Sequence, residues 1–328
     1  MEILVEVRNL KKHFRMPRGF LHAVDGVSFK LVKGKTLGIV GESGCGKSTL
    51  GRTIIHLLES TEGEIIFEGK DITKLNKKNL KQARKNMQMI FQDPFSSLNP
   101  RMTIEEIISE PLLIYKTDKL KENIYKQTYR LMEKVGLSCK LAKAYPHELD
   151  GGRRQRVGVA RALALKPKLI ICDEPVSSLD VSMQAQILNL MQDLQDEFKL
   201  TYIFITHDLS VVNHISDDIL VMYLGKAVEY SSSDELFNYQ FHPYTKALLS
   251  AVPVPEIRER GKREILKGEV TSPINPTPGC RFASRCAYIE NECTIQEQTL
   301  EEYIPGHFVA CQFVRKINNY NVIGKGNK

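Results

Sequence analysis

Residues 41–48 bring together the glycines, the lysine and the serine that cradle phosphate groups in proteins. They fit the pattern G-x-x-x-x-G-K-[ST] without a mismatch, between an apolar run at residues 37–40 and a helix-like run at residues 48–58. A glycine-rich turn in this context points successive backbone N–H groups into one anion site. Lys47 would reach the β- and γ-phosphates and the Ser48 hydroxyl would ligate Mg²⁺. The sequence therefore predicts a nucleoside triphosphate site rather than a surface loop that matches by chance.

Polar residues at the ends of other apolar runs offer the remaining chemistry. Asp173 and Glu174 close the run at residues 169–172. A carboxylate there can hold Mg²⁺ through its water shell, and Glu174 is placed to polarise an attacking water as a general base. Gln92 can ligate Mg²⁺ or orient water, and His207 can donate a hydrogen bond to the γ-phosphate. A lone Gln or His at a strand end is commonly a capping or surface residue, and these two become candidates because the other parts are present.

Strand-like and helix-like runs alternate along most of the chain. The strand-like runs lie at residues 5–7, 23–31, 37–40, 63–67, 169–172, 202–206 and 219–230. Residues 104–135 read as helical, and a second amphipathic helix places on one face Ile187, Leu188, Met191, Leu194 and Phe198. This alternation predicts an α/β fold, a mainly parallel sheet with helices on both faces. After about residue 240 prolines become frequent, which predicts an extended, weakly regular appendage.

Composition limits the function classes. The chain has 328 residues with 42% hydrophobic and 26% charged residues, which is ordinary for a globular protein, and a net charge of +7. No apolar run approaches the roughly 18–20 residues of a membrane-spanning helix, and the first residues lack a signal-peptide pattern. A lysine-rich stretch at residues 74–85 has no interleaved aromatic residues, so we expect a solvated helix face and no nucleic-acid partner.

Seven cysteines without a signal peptide favour thiols or metal ligands over a disulfide framework. Cys45, Cys139 and Cys172 read as small space-filling residues. Four others crowd into the last fifty residues with the spacing C-x₅-C-x₆-C-x₁₇-C, namely Cys280, Cys286, Cys293 and Cys311. A proline-rich segment with little hydrophobic core needs a cross-link to offset the entropy lost on ordering. These four cysteines therefore predict a metal centre. From chemistry alone, Zn²⁺, a four-thiolate iron–sulfur cluster and unligated thiols all stay open.

Over residues 1–240 the sequence resembles the nucleotide-binding subunits of ATP-binding cassette (ABC) transporters. The resemblance identifies residues 41–48 as Walker A, Asp173 and Glu174 as Walker B with its catalytic glutamate, Gln92 as the glutamine-loop residue and His207 as the switch histidine. It implies a P-loop NTPase fold with a RecA-like core, an antiparallel β subdomain and a helical subdomain at about residues 93–160. The catalytic set is then Glu174, His207, Lys47 and Gln92, with Mg²⁺ held by Ser48, Gln92 and, through water, Asp173. The implied ATP contacts are Phe14 (stacking on adenine), Gly41, Ser43, Gly44, Cys45, Gly46, Lys47, Ser48, Thr49, Gln92, Asp173, Glu174 and His207.

Two further loops have counterparts in the family, and one departs from its pattern. The dimer-contact loop is Ser178, Leu179 and Asp180. The signature loop, which acts on the ATP of the opposite subunit, reads Leu-Asp-Gly-Gly-Arg where the family has Leu-Ser-Gly-Gly-Gln. Its contact residues are Asp150, Gly151 and Gly152. Because an ionised carboxylate cannot donate to phosphate and repels it, we expect slow hydrolysis at the site that Asp150 completes. The alternative is that Asp150 turns away and caps the following helix.

A closer resemblance is to the oligopeptide and dipeptide importer branch and its nickel-carrying relatives. Residues 91–101, 145–148 and 241–248 carry it, and the continuation at residues 51–53 is more similar to the F-type subunit. The resemblance implies a C-terminal domain over residues 241–328 with a [4Fe–4S] cluster on the four cysteines and His307 beside it. It also implies a second ATPase subunit (heterodimer preferred over homodimer), two transmembrane permease subunits, an extracytoplasmic solute-binding protein and a peripheral position on the cytoplasmic face of the membrane. A soluble ABC protein and a phosphate-loop kinase are the alternatives.

Overall fold

The structure is a computed structural model that describes residues 2–118, 120–251, 268 and 272–318. The chain forms two compact units, each assembled from distant parts of the sequence. The first unit comprises Met1–Val5, Lys30–Thr36 and Ile66–Thr206. The second unit comprises Glu6–Phe29, Leu37–Ile65 and His207–Lys328.

Strands and helices alternate as the sequence predicts. The strands are β1 (Ile3–Met16), β2 (Gly19–Val32), β3 (Thr36–Val40), β4 (Glu62–Phe67), β5 (Lys70–Asp71), β6 (Met87–Ile90), β7 (Leu169–Asp173), β8 (Thr201–Ile205), β9 (Asp218–Tyr223), β10 (Lys226–Ser232), β11 (Glu301–Ile304) and β12 (His307–Val309). The helices are α1 (Lys47–Ile54), α2 (Lys77–Lys85), α3 (Pro94–Ser97), α4 (Ile104–Ile114), α5 (Lys121–Lys134), α6 (Gly151–Leu163), α7 (Val181–Phe198), α8 (Leu209–Ile215), α9 (Ser233–Asn238), α10 (Pro243–Ser250) and α11 (Val314–Asn318).

In the first unit, strands β6, β7 and β8 form a parallel sheet. β7 lies between the other two, with Leu169 opposite Met87 on one side and Thr201 on the other. Every residue of β7 and β8 is buried, as expected for continuous apolar runs covered on both faces. The carboxyl ends of β6 and β7 therefore lie at the same edge, where Gln92, Asp173 and Glu174 follow.

In the second unit, β3 pairs in parallel with β9, and an antiparallel extension follows. β10 pairs with β9, β12 with β10, and β11 with β12. Strands β2, β1 and β4 lie side by side in that order in a separate sheet. The end of β4 pairs antiparallel with β5, and this pairing lies in the first unit. β3 carries the phosphate loop at its carboxyl end, which fixes where that loop begins.

Two predicted helices end earlier than expected. Residues 104–135 form two helices, because α4 ends at Ile114, and α1 ends at Ile54 rather than at residue 58. Lys116 and His56 follow with φ of 48° and 58°. In each case the next N–H reaches back five residues, from Thr117 to Leu112 O and from Leu57 to Arg52 O. This is a Schellman ending, and the sequence conceals it because the left-handed residue is not glycine.

Two other expectations need correction. Ile187, Leu188, Met191 and Leu194 are buried on α7, but Phe198 is 40% exposed at the end of the helix. The C-terminal stretch is more regular than predicted, since it contains α10 and adds β11 and β12 to the antiparallel extension of the second unit. His242 and a proline at the first position begin α10. Part of the proline-rich stretch, residues 252–267, lies outside the described residues.

Candidate functional site

The phosphate loop connects β3 to α1 through backbone that only glycine adopts without strain. Gly46, just before α1, has φ 107°, and a Cβ placed on it would lie 2.0 Å from the carbonyl oxygen of Ala23. Ser43 and Gly44 are exposed at the tip of the loop, whereas Cys45 is buried below them. Gly46 is the N-cap of α1 and has no side chain with which to cap the helix. This loop has the geometry in which a helix N-terminus binds an anion.

Lys47 is held inside this loop. Lys47 is only 4% exposed. Its Nζ donates hydrogen bonds to the carbonyl oxygens of Gly41, at 2.7 Å, and Glu42, at 3.0 Å. The positive charge is therefore concentrated where the sequence predicts the β- and γ-phosphates.

Sequence reasoning missed the residues that fix Glu42, the second residue of the loop. The Glu42 N–H donates to the hydroxyl oxygen of Tyr244 at 2.8 Å. The Arg285 guanidinium donates to both carboxylate oxygens of Glu42, at 2.7 and 3.1 Å. Glu42 occupies a position that the motif leaves free, so no signal in the motif points to these partners.

The structure brings Gln92 and Glu174 together although they lie 82 residues apart. The Gln92 side-chain amide donates to Glu174 Oε2 at 2.8 Å. The Glu174 backbone has φ 47°, and its N–H donates to the carbonyl oxygen of Ile205 on the neighbouring strand. A glutamate in left-handed backbone costs about 1–2 kcal/mol and is commonly found at functional sites. Asp173, immediately before it, is fully buried.

The other nucleotide candidates have the following positions. Gln92, Asp173 and Glu174 belong to the first unit, and Phe14, His207 and the phosphate loop belong to the second. His207 is exposed and lies two residues before α8. Phe14 is partly buried on β1, with Lys12 Nζ 4.9 Å from its ring centroid.

In the signature loop, Asp150 caps the helix that follows it. Asp150 Oδ1 accepts from the Arg153 N–H at 2.8 Å, and its other oxygen lies 3.4 Å from Arg153 Nε. Both side chains are more than half exposed. The capping alternative is thus the arrangement found in this chain, although the side chain stays on the exposed surface.

The signature glycines lie against the dimer-contact loop and helix α7. A Cβ on Gly151 would lie 3.2 Å from Leu179 Cδ2, and a Cβ on Gly152 would lie 1.8 Å from Met183 Cε. Asp180 caps α7 through the Met183 N–H at 2.9 Å. The signature loop therefore packs closely against the predicted dimer-contact loop, which consists of Ser178, Leu179 and Asp180.

The four C-terminal cysteines converge. Burial raises the pKa of Cys280 and of Cys311 to about 11, and the nearby Cys280, Cys286 and Cys293 contribute to the raised pKa of Cys311. The Cys280 N–H donates to the Cys293 carbonyl oxygen at 2.7 Å. In the part of the chain that the structure describes, a group of three His, Cys, Asp or Glu side chains has its ligand atoms within 4.8 Å of one another. This group is His13, His22 and Asp25, and it contains none of these cysteines. Among the described residues, no three of these thiols lie within 4.8 Å of one another.

His307 lies buried in another contact. Its Nε2 is 2.8 Å from Glu229 Oε1, and that carboxylate also accepts from the backbone N–H groups of Phe241 and His242. His307 is therefore engaged with Glu229.

Comparison with known proteins identifies the family. The sequence model described as "ABC transporter" matches residues 24–177, and the one described as "Oligopeptide/dipeptide transporter, C-terminal region" matches residues 228–293. The chain therefore belongs to the ABC transporter family, whose cassettes are ATPases.

Full-length relatives narrow this to the oligopeptide transport ATP-binding proteins. Oligopeptide transport ATP-binding protein AppF of Bacillus subtilis is 54% identical over 320 residues, covering 94% of this chain and 97% of that protein. Oligopeptide transport ATP-binding protein OppF of Haemophilus influenzae is 52% identical over 321 residues, covering 94% of this chain and 97% of that protein. The F in both names agrees with the subtype that residues 51–53 predict.

Solved structures give the same fold. The dimeric ATP-binding cassette MJ0796, in a post-hydrolysis state bound to ADP and Pi, has a TM-score of 0.65 and 28% identity, covering 70% of this chain and 99% of that chain. The cbiO1 component of a Clostridium perfringens ABC transporter complex has a TM-score of 0.65 and 27% identity, covering 73% and 92%. The predicted P-loop ABC ATPase fold is confirmed. Within the described part of the chain, no helix is both long and apolar enough to cross a membrane.

Proposed function

We propose that this chain is one of two ATPases that power the import of di- or oligopeptides. The Gln92–Glu174 hydrogen bond carries the proposal, since it joins the candidate magnesium-binding amide to the candidate general base at 2.8 Å. The names of the full-length relatives supply the cargo class. Nickel or another small solute is the alternative cargo.

Hydrolysis would take place where two ATPase subunits meet. Lys47 would bind the terminal phosphates, Ser48 and Gln92 would ligate Mg²⁺, and Asp173 would hold the ion through water. Glu174 would take a proton from the attacking water, and His207 would donate a hydrogen bond to the γ-phosphate. The partner's signature loop would complete this site, while Asp150, Gly151 and Gly152 would complete the partner's site.

The partners follow from this role. We propose a second ATPase subunit of the same family, with a heterodimer preferred over a homodimer, docked on two transmembrane permease subunits. An extracytoplasmic solute-binding protein would deliver the cargo, and this chain would lie peripherally on the cytoplasmic face. We place the boundary of the C-terminal domain at about residue 240; the matching family model begins at residue 228.

The cysteines fit a [4Fe–4S] cluster better than a zinc ion. Around one tetrahedral zinc the sulfurs lie about 3.8 Å apart, whereas each thiolate of a cluster binds its own iron and lies farther from the others. The four thiols converge without three of them forming a group within 4.8 Å. Cys280, Cys286, Cys293 and Cys311 would hold the cluster, which would stabilise this segment as a structural centre.

Anaerobic purification decides between the two metals. The expected result is a brown protein with about four irons per chain, and Cys293→Ser should lose the iron. Cys139→Ser is the matched control, because Cys139 belongs to the first unit, contacts Tyr129 and Glu133, and should leave the iron content unchanged. A colourless, iron-free protein that carries one zinc would contradict the cluster.

Reconstitution tests the transport role. The chain, its partner ATPase and both permeases should form one complex in proteoliposomes, and loaded binding protein with an oligopeptide should stimulate ATP hydrolysis. The same complex with nickel in place of peptide is the control. Stimulation by nickel alone would replace the proposed cargo, and a chain that hydrolyses ATP without joining permeases would contradict import.

A further inference from the structure

Two arginines, Arg281 and Arg285, lie between Cys280 and Cys286, and both reach elements of the nucleotide-binding region in the same unit. Arg281 Nη2 lies 2.5 Å from Asp25 Oδ2 on strand β2, and Arg285 forks onto Glu42 in the phosphate loop. The arginine side chains are only 11% and 6% exposed. Charged groups this deeply buried need their partners, because an unpaired buried charge is strongly unfavourable.

The Arg285 contact has a geometry that suits arginine alone. Nη1 and Nη2 each donate to a different oxygen of Glu42, and Nη1 lies 3.5 Å from the Tyr223 hydroxyl. The guanidinium also lies over the Tyr223 ring, 5.8 Å from its centroid. Lysine would keep the charge but lose the planar fork and the stacking.

Glu42 needs this neutralisation because of where it lies. It carries a negative charge within the loop that binds a triphosphate, and its carboxylate is only 25% exposed. Its carbonyl oxygen also accepts from Lys47 Nζ, and its N–H donates to Tyr244. Without Arg285, the carboxylate would repel phosphate and be free to move the backbone that positions Lys47.

Arg281 makes a similar buried contact in the same unit, with Asp25 on β2. Asp25 meets Arg281 and Lys226 and also two stacked histidines, His13 and His22, whose nearest nitrogens lie 3.2 and 3.1 Å from it. The cations and histidines hold the pKa of Asp25 at about 2 against the effect of burial. The cysteine segment, residues 279–311, thus reaches both the phosphate loop and the strand next to β1.

We propose that Arg285 is a positioning residue for nucleoside triphosphate binding, which makes the cysteine segment part of the nucleotide site. Arg285 neutralises Glu42 and fixes the loop around Lys47. The inference rests on ATP binding by the phosphate loop and adds a C-terminal contribution to it, independent of the cargo and of the metal.

Equilibrium titration of the full chain with Mg²⁺ and a fluorescent ATP analogue, then an ADP analogue, tests the proposal. Arg285→Ala should weaken ATP binding about tenfold and ADP binding less, because the diphosphate carries less charge. Arg285→Lys should fall between it and the wild type. Glu42→Gln in the Arg285→Ala background should restore most of the affinity, since the repelling carboxylate is then removed.

Arg315→Ala is the matched control, because it removes an exposed positive charge from the same C-terminal region. Its ATP affinity should equal that of the wild type. Unchanged affinity in Arg285→Ala, equal losses for ATP and ADP, or no restoration by Glu42→Gln would overturn the proposal. If Arg285→Ala does not fold, Arg285→Lys with and without Glu42→Gln gives the same comparison. Failure of the import role would instead appear as lost transport with these affinities intact.

Discussion

The phosphate loop and the signature loop are both glycine-rich, yet they are supported in different ways. The phosphate loop has a buried lysine, and two distant residues hold its Glu42. These are Tyr244 and Arg285, which lie 202 and 243 positions away in the sequence. The signature loop is supported from nearby: Asp150 bonds to Arg153, and Gly152 packs against the end of Met183. One loop is fixed within its own chain from several sides, whereas the other keeps its polar side chains exposed.

This difference fits the tasks that we propose for the two loops. A loop that binds nucleotide in its own subunit gains from being positioned before the ligand arrives, since no binding energy is then used to order it. A loop that meets the nucleotide of another subunit must stay accessible. We therefore expect substitutions around the phosphate loop to change binding and stability, and substitutions around the signature loop to change turnover in the assembled complex.

The largest effects should separate binding from chemistry. Lys47→Ala should abolish tight ATP binding and hydrolysis together. Glu174→Gln should keep ATP binding and lower turnover by about 10²–10⁴-fold, the range for loss of a general base. Nucleotide titration and phosphate release in the reconstituted complex measure the two quantities. A Glu174→Gln complex that hydrolyses ATP at the wild-type rate would remove Glu174 from this role.

Alanine at one glycine of each loop should change stability by different amounts. Gly46→Ala combines left-handed backbone, about 1–2 kcal/mol for a non-glycine residue, with a clash against the backbone of Ala23, so it should lower the free energy of unfolding by more than that. Gly152→Ala lies in a helix and meets only the flexible end of Met183, so stability should change by less than about 1 kcal/mol. Urea unfolding measures both.

Gly44→Ala separates strain from collision in this experiment. Gly44 has φ 78°, and a Cβ there would meet nothing within 4 Å. It should therefore cost only the left-handed strain. Equal destabilisation by Gly44→Ala and Gly46→Ala would refute the role of the Ala23 contact, and a large loss in Gly152→Ala would refute the flexible support of the signature loop.

Sequence predicted local motifs better than long-range support. The run at residues 37–40, the loop after it and the Asp173–Glu174 pair are local patterns, and the strands form where predicted. The partners of Glu42 could not be predicted, because no periodicity links it to Tyr244 or Arg285. The ends of α1 and α4 were missed for another reason: His56 and Lys116 adopt left-handed backbone, which sequence reasoning assigns to glycine.

Acid should destabilise the fold through His242, whose Nδ1 accepts from the Tyr244 N–H at 3.1 Å. Burial lowers the pKa of His242 to about 4, while Glu229 acts in the opposite direction. Between that value and about 6.5 the unfolded chain binds a proton that the folded chain does not. The stabilising contribution is thus fully present above about pH 6.5 and falls by about 1.4 kcal/mol per pH unit towards pH 4.

His242→Asn isolates this effect, because asparagine also caps a helix and does not titrate. Between pH 7 and pH 5 the wild type should lose about 2 kcal/mol more unfolding free energy than the variant. Urea unfolding at the two pH values gives the difference. Parallel losses in both proteins would show that His242 titrates normally in the folded state.

Asp150 should have the smallest effect, and two substitutions separate its charge from its cap. Serine also caps helices, so Asp150→Ser should leave stability within about 0.5 kcal/mol, whereas Asp150→Ala should cost about 1 kcal/mol. Glu174→Gln silences this chain's own site, so the remaining hydrolysis in a heterodimer comes from the site that Asp150 completes. Adding Asp150→Ser to the Glu174→Gln chain should raise the remaining rate of ATP hydrolysis several-fold, because a hydroxyl donates to phosphate and a carboxylate repels it. An unchanged rate, or equal loss of transport when each subunit's catalytic glutamate is replaced separately, would mean that the two sites are equivalent and that Asp150 acts only as a helix cap.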